Sequence, residues 1–296
     1  MVGAIWEFAN SNFFIALVTA FAGAAAGAFG AQWIITRGER NRRLLQDIQA
    51  TNSAIMVAFE IVNTFCALKN QHVRGLKETF DKQEKEFRGR FERKRRGALA
   101  PGEVFEFQAD LQTLTFPRTP TEVLQHLMFE RVSVGGRPLS ALTRLFVSLD
   151  SLADSLRQRN ELIAHTKANP PDQNALIALY FGVPSGTGRT DLTYPACVSA
   201  ISLYTDDAIF FSKILIEDLA QHGRNVAIAF GKGAPKVYQP EFSNAKQQNL
   251  IPPDGQYESW LNATKGLAPS VLRKRSWFQL LRRRPRQRMR HEVVGE

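Results

Sequence analysis

The amino-acid sequence predicts an all-α fold with three parts: an N-terminal single transmembrane helix, a cytosolic helical bundle and a basic C-terminal tail. Three observations support this prediction. Residues 13–35 carry no charge and are mostly apolar. Beyond them, apolar side chains recur at the 3.6-residue spacing of helices, and no segment has a convincing alternating strand pattern. The last part of the chain, residues 269–296, is dominated by arginine.

The apolar run at residues 13–35 is long enough, at about 1.5 Å per residue, to cross the roughly 30 Å hydrocarbon core of a bilayer as a helix. Trp6 and Trp33 lie near its two ends, as interfacial tryptophans do. No Lys or Arg precedes it, which argues against a cleaved signal peptide. The residues that follow it at once are basic: Arg37, Arg40, Arg42 and Arg43. The positive-inside rule therefore predicts an inner (plasma) membrane protein with its N-terminus outside and the bulk of the chain in the cytoplasm.

The cysteine content and the charge distribution exclude some kinds of site. Cys66 and Cys197 are the two cysteines, and they lie far apart in the sequence, with no metal-type spacing. This usage suits a reducing cytosol and argues against a disulfide scaffold or a zinc site. We predict neither a metal nor a cofactor. The formal net charge of +10 belongs mainly to the tail, because the rest of the chain is close to neutral.

The residues after the anchor divide into four predicted segments. Residues 37–97 form a long helix, either a stalk or the first helix of the bundle, and its broad aromatic stripes favour the bundle. Residues 103–231 form the main helical domain. Residues 232–268 are rich in Pro, Gln and Asn and predict a polar linker, before the basic amphipathic tail at 269–296. The N-terminal segment and the transmembrane helix together occupy residues 1–36.

Within the main domain, turn sequences separate the helical patterns. A short helix is expected from Glu103. The other predicted helices are Val123–Val132, Leu139–Lys167, Asn174–Phe181 and Tyr194–His222. The one weak strand candidate is Val226–Phe230.

One group of residues could carry chemistry. The predicted helix 139–167 contains Arg159, then Asn160, then His165, with five residues between the Arg and the His. This pattern resembles the Arg–x4–6–His signature of HEPN domains, which are all-α and include many metal-independent ribonucleases that work as paired protomers. The resemblance covers at most about residues 121–224. It implies that His165 is the acid/base, Arg159 holds the scissile phosphate and Asn160 is an orienting partner.

A second interpretation of the same residues is available. Arg157, Glu161 and His165 are four residues apart in turn, which is the spacing of a stabilising surface ladder. An ideal helix also directs Arg159 and His165 about 120° apart. Two functions therefore stay open. The first is a HEPN-like ribonuclease or RNA-binding effector at the membrane, and the second is a non-enzymatic single-pass protein for protein–protein contacts or signalling.

Two further features predict partners. Gly23, Gly27 and Ala31 form a small-residue face on the anchor, which favours a homodimer of membrane helices. The tail mixes aromatic residues with arginine, which favours anionic lipid first and RNA second. Its candidate lipid- or nucleic-acid-binding residues are Arg273, Lys274, Arg275, Arg282, Arg283, Arg284 and Arg286.

Overall fold

A computed structural model describes residues 12–98, 105, 107–184 and 188–270. Over these residues every regular element is helical and none is a strand, which confirms the all-α prediction. The weak strand candidate is wrong, because residues 226–230 form the last turns of a long helix.

Eight α-helices are present in the described ranges: α1 Asn12–Leu68, α2 Arg74–Arg95, α3 Thr121–His126, α4 Arg137–Ala168, α5 Gln173–Phe181, α6 Thr193–Phe230, α7 Ser243–Gln247 and α8 Glu258–Thr264. Two π-helical turns, Lys69–Val73 and Leu127–Arg131, follow α1 and α3. Two short 3-10 helices, Asp254–Tyr257 and Lys265–Leu267, flank α8.

The core lies along α6, which packs against both α1 and α4. Helix α6 can occupy this central position because residues 208–220 are apolar on most sides of the helix, and nearly all of them are buried. The residues that fill the main core include Ile61, Phe65, Leu142, Leu145, Ile209, Phe210 and Leu215. A smaller aromatic cluster, with Phe80, Tyr180, Phe181 and Tyr194, joins α2 and α5 to the start of α6.

Helix α1 runs from an exposed apolar stretch straight into this core. The continuous helical run Gly27–Arg95, which includes most of α1, is the one candidate in the described chain that is long and apolar enough, by length and composition, to span a membrane. Large apolar side chains stand exposed before residue 37, among them Phe21 at 73% and Phe29 at 77%. From Ile48 onward one side of the same helix is buried in the core, with Ile48, Ile55 and Ile61 at 0% exposure. No break separates the two parts.

We name residues 107–120 the strap. The start of the helix predicted from Glu103 lies outside the described residues, and its expected continuation into the strap is not helical. The strap has no helical turn. It crosses α4, where side chains of that helix bond to its main-chain groups, so its peptides are satisfied without intrahelical bonds. Pro117 and Pro120 further disfavour a helix at its C-terminal end.

Part of the predicted linker 232–268 packs onto the helices. The Asn52 side-chain amide donates to the Lys236 carbonyl oxygen at 2.9 Å, and its oxygen accepts from the Tyr238 N–H at 2.9 Å. Farther on, the Tyr257 ring stacks on Phe210 with centroids 3.7 Å apart. The Asn225 amide reaches the Ser270 carbonyl oxygen at 2.6 Å, so the described chain ends beside α6.

Candidate functional site

Arg159 lies at the centre of a buried polar site between α4, α6 and the strap. Its side chain is 0% exposed. Nη1 donates to the Gln112 carbonyl oxygen at 2.7 Å, and Nη2 donates to the Asp110 carbonyl oxygen at 3.3 Å. The guanidinium also lies over the Tyr194 ring, with its carbon 5.5 Å from the centroid. Arg159 thereby binds two main-chain carbonyls of the strap.

Asn160 holds the next part of the strap. Its Nδ2 donates to the Leu114 carbonyl oxygen at 2.7 Å, and its Oδ1 accepts from the Leu114 N–H at 3.1 Å. A carboxamide offers a donor and an acceptor side by side. The Asn160 side chain therefore bonds to the N–H and C=O of Leu114 as a neighbouring β-strand would. Adjacent residues of α4 therefore clamp the strap at three points, Asp110, Gln112 and Leu114.

Tyr194 completes the site from α6. Its hydroxyl donates to the Asp110 carbonyl oxygen at 2.7 Å. Burial raises the pKa of Tyr194 well above its usual range, and the nearby Arg159 charge only partly opposes this. The hydroxyl therefore stays protonated and keeps its role as a donor at physiological pH. The Asp110 carboxylate, about one-third exposed, lies 3.7 Å from Arg159 Nη2 and supplies the nearest negative charge.

His165, the third residue of the motif, lies elsewhere on α4. It is exposed in the last turn of the helix, and its carbonyl oxygen accepts from the Asn169 N–H at 2.9 Å. Because Arg159 is buried and His165 faces solvent, the two side chains do not share a surface of this chain. In this conformation the Arg159 guanidinium is covered by the strap and cannot contact a phosphate.

The other predicted site residues fall into two groups. Gly23, Gly27 and Ala31 lie on the exposed part of α1, and a Cβ built on either glycine meets no atom within 4 Å. The basic residues from Arg273 to Arg286 lie outside the described residues.

A buried cluster that sequence reasoning missed lies where α1, α6 and the α3–α4 connection meet. The Asp47 carboxylate accepts hydrogen bonds from the Ser133 hydroxyl and, at 3.2 Å, from the Ser133 N–H. His222 Nε2 lies 3.4 Å from the same carboxylate. Burial alone would raise the pKa of Asp47, but the hydrogen bonds from His222 and Ser133 outweigh it and lower that pKa. These residues are 86 and 175 positions from Asp47, so no local motif announces them.

This cluster predicts a pH-dependent stability. A carboxyl whose pKa is lowered by folding stabilises the protein above its ordinary value of 3.8, and this contribution is lost as pH falls through the lower, folded-state value. We expect Asp47→Asn to reduce the free energy of unfolding at pH 7 by about 1–2 kcal/mol. The deficit relative to wild type should shrink below pH 4 in thermal melts followed by circular dichroism. Asp154→Asn, an exposed carboxyl on α4, serves as control, and a deficit that persists at pH 3 would contradict the assignment.

Comparisons with known proteins do not assign this chain to a family. No family model, no curated protein and no solved structure matches the chain. Within the described ranges, no group of His, Cys, Asp and Glu is arranged to hold a metal ion. The interpretation of the site therefore rests on its own contacts.

Proposed function

We propose that this chain is a single-pass membrane protein whose helical bundle lies in the cytoplasm and works through contacts with other proteins rather than through catalysis. The observation that carries the proposal is the continuity of α1. This helix holds the exposed apolar residues before Arg37 and the buried core residues after Asp47 in one element. A domain built on the same helix as its anchor is held at a fixed height and orientation relative to the bilayer.

The distribution of charge supports the cytoplasmic placement. Arg37, Arg40, Arg42 and Arg43 are all exposed, and they occupy the part of α1 between the apolar stretch and the core. Basic residues that directly follow a membrane helix are retained on the cytoplasmic side.

The path of the C-terminal segment supports binding of the tail to anionic lipid. Ser270 lies beside Asn225, and Phe230 at the end of α6 lines the same cleft as Arg37. Asn225 and Phe230 are about 7–8 Å apart along the axis of α6. The basic tail therefore begins close to the level of the juxtamembrane arginines. There, each basic residue near an anionic surface contributes about 1 kcal/mol.

The contacts of Arg159 support the non-enzymatic role. A phosphate clamp needs a guanidinium with free N–H groups that face the substrate. Here the guanidinium binds two carbonyls of its own chain and lies against a tyrosine ring. We infer that Arg159 and Asn160 act to fix the strap.

The Arg159–His165 spacing supports a second candidate, a HEPN-like ribonuclease that works as a homodimer. His165 is exposed in the last turn of α4, where a second protomer or an RNA could reach it. This candidate requires the strap to release Arg159 in the active state. The exposed Gly23, Gly27 and Ala31 face of α1 offers the close helix approach that such a dimer would use.

One assay separates the two candidates. The full chain, reconstituted in lipid nanodiscs, is incubated with a mixed RNA pool in EDTA, and His165→Ala is compared with wild type. On the proposed function we expect equal RNA profiles for both proteins, at the level of buffer alone. His165 is exposed, so this substitution leaves the core untouched and reports on chemistry rather than on folding.

The control for this assay is His126→Ala, another exposed histidine in a helical segment. Cleavage by wild type that persists in His126→Ala and disappears in His165→Ala would overturn the non-enzymatic proposal and establish the nuclease. Resistance of the wild-type protein to alkaline extraction from membranes is the companion measurement. A protein that alkaline treatment releases is not membrane-spanning.

A further inference from the structure

A cleft of about 430 Å³ lies where the exposed apolar part of α1 ends and the C-terminus of α6 approaches it. Helix α1 supplies Trp33, Thr36, Arg37, Arg40 and Asn41, and α6 supplies Ala229 and Phe230. Trp33, Arg37 and Arg40 are spaced by four and three residues, so they project from one face of α1. The cleft is therefore lined by two guanidinium groups from one face of α1 and by two aromatic rings, Trp33 from α1 and Phe230 from α6.

The lining of this cleft is basic, and the neighbouring acid Glu39 is not part of it. No acidic residue lines it, and in the described ranges neither Arg37 nor Arg40 forms an ion pair. The Arg37 guanidinium lies over the Trp33 ring, with its carbon 5.2 Å from the centroid. A cation over an aromatic face is attracted by the ring without using up its N–H donors, so this contact is compatible with an anion on the guanidinium.

A second basic cleft nearby shows the contrast. It has a volume of about 500 Å³ and is lined by Arg43 and Arg131, but also by Asp47 and Glu130. Its lining thus contains as many carboxylates as guanidinium groups. The second cleft, one to two turns farther along α1, thus has a similar size and the same number of arginines as the first, but a balanced charge. The two clefts differ in the net charge that they offer to a ligand.

The position of the first cleft indicates the class of ligand that it would bind. Ile34 and Ile35, at the start of the cleft, are more than half exposed, as is Trp33 itself. If α1 spans the bilayer as proposed above, this turn of the helix lies at the headgroup layer, where tryptophan and arginine concentrate. Basic pockets between helices on the cytoplasmic side of a membrane are suited to phosphorylated headgroups.

We propose that this cleft binds the headgroup phosphate of an anionic phospholipid. Arg37 and Arg40 donate charge-assisted hydrogen bonds to the phosphate oxygens, and Trp33 and Phe230 pack against the glycerol and the upper acyl chain. A lipid would contact both the two arginines and the two aromatic rings of the cleft, whereas free phosphate would contact only the arginines. The site is distinct from the tail, since it is formed by α1 and α6. The inference rests on the proposed membrane insertion of α1.

The test compares two double variants that remove equal charge from the same helix. Arg37→Gln/Arg40→Gln alters the cleft, and Arg42→Gln/Arg43→Gln is the matched control one turn farther on. Each full-length protein, with its tail, is delipidated in non-ionic detergent and titrated with dioleoylphosphatidylglycerol or dioleoylphosphatidylcholine. Native mass spectrometry then gives the Kd of the first bound lipid. We expect the cleft variant to weaken phosphatidylglycerol binding about tenfold, the control by about twofold or less, and phosphatidylcholine binding to be unchanged in both.

Three results would overturn the inference. Equal losses in the two variants would mean diffuse attraction to basic residues. Displacement of the lipid by millimolar glycerophosphate or inorganic phosphate would mean an anion site that does not recognise lipid. Displacement by a short RNA with an equal loss of RNA binding in the cleft variant would assign the cleft to nucleic acid.

The failure of this inference is separable from that of the proposed function. Alkaline extraction of membranes reports on insertion of α1 for wild type and both variants alike. A protein that stays in the membrane and shows no preference for phosphatidylglycerol refutes only the lipid site. A protein that alkaline treatment releases from the membrane refutes the membrane anchor, and with it the premise of the site.

Discussion

Arg159→Ala is expected to lower the free energy of unfolding by about 3 kcal/mol, one of the two largest effects of any single substitution considered in this chain. The change removes a fully buried side chain that donates to the Gln112 and Asp110 carbonyls. The Gln112 carbonyl then loses its partner, and the space left between α4 and Tyr194 is a cavity. Each of these costs is separate, so they add to the total.

The matched control is Arg157→Ala, two residues earlier on α4. Its side chain is 68% exposed and pairs with an equally exposed Asp154, a type of contact worth at most about 1 kcal/mol. Arg159→Lys is an intermediate case, because lysine keeps the charge but cannot reach two carbonyls in a fixed fork. Urea unfolding of the full chain in a mild detergent, followed by circular dichroism, measures all three. Equal stability of the Arg159 and Arg157 variants would contradict the clamp.

This result also decides how any activity data are interpreted. A loss of function in Arg159→Ala would follow from a detached strap as readily as from a lost catalytic group. Hydrogen exchange at residues 107–120 distinguishes the two, since release of the strap exposes its amides. His165→Ala carries no such ambiguity and is the better probe of chemistry.

Gly136→Ala is expected to destabilise the protein by about 2–4 kcal/mol. Gly136 caps α4 with φ of 70° and ψ of −130°, a combination that residues with a Cβ avoid. A Cβ added there would lie 2.4 Å from the Leu267 carbonyl oxygen, which is backbone and cannot rotate away. Either α4 starts with strain or the segment around Leu267 moves off the helix. We expect both a lower melting temperature and faster hydrogen exchange at residues 258–270.

Gly135→Ala is the natural control, since a Cβ at that position meets nothing within 4 Å. Its φ is not in the left-handed region, so alanine is accepted without strain. Each variant adds one methyl group, and the two differ only in its position along the chain. Identical melting temperatures would contradict both the backbone strain at Gly136 and the contact of the Leu267 segment with α4.

The sequence predicts the long helices well, because their apolar periodicity is strong. The predicted helix 139–167 lies inside α4, and the predicted helix 174–181 lies inside α5. The predicted end of α6, His222, is eight residues before the observed end at Phe230. The helix continues through Gly223, which gives room for Val237, whose methyl would be 2.8 Å from an added Cβ. A tertiary contact thus keeps a glycine inside a helix.

The site was harder to predict for a physical reason. An Arg–Asn pair on a helix has the same sequence whether it faces a substrate or the chain's own backbone. The carbonyls that Arg159 binds lie 47 and 49 residues earlier, in a segment with no periodic pattern. Asn52 and Asn160 clamp main chain in the same way, and nothing in their local sequence indicates it. Such contacts are set by the path of non-helical chain, which sequence periodicity does not encode.

The continuity of α1 has a mechanical consequence. Leu68 lies about 47 Å beyond Arg37 along the helix axis. If α1 spans a bilayer as proposed, a tilt of roughly ten degrees at the bilayer surface swings that end of the domain by about 8 Å. Rotation of the span is likewise delivered as torque to the core. The first irregularity that could absorb this rotation is the π-helical turn Lys69–Val73. The Lys69 ammonium in that turn forms an ion pair with Asp206 of α6 at 2.6 Å. On the proposed insertion of α1, the span and the domain therefore move together as one rigid lever.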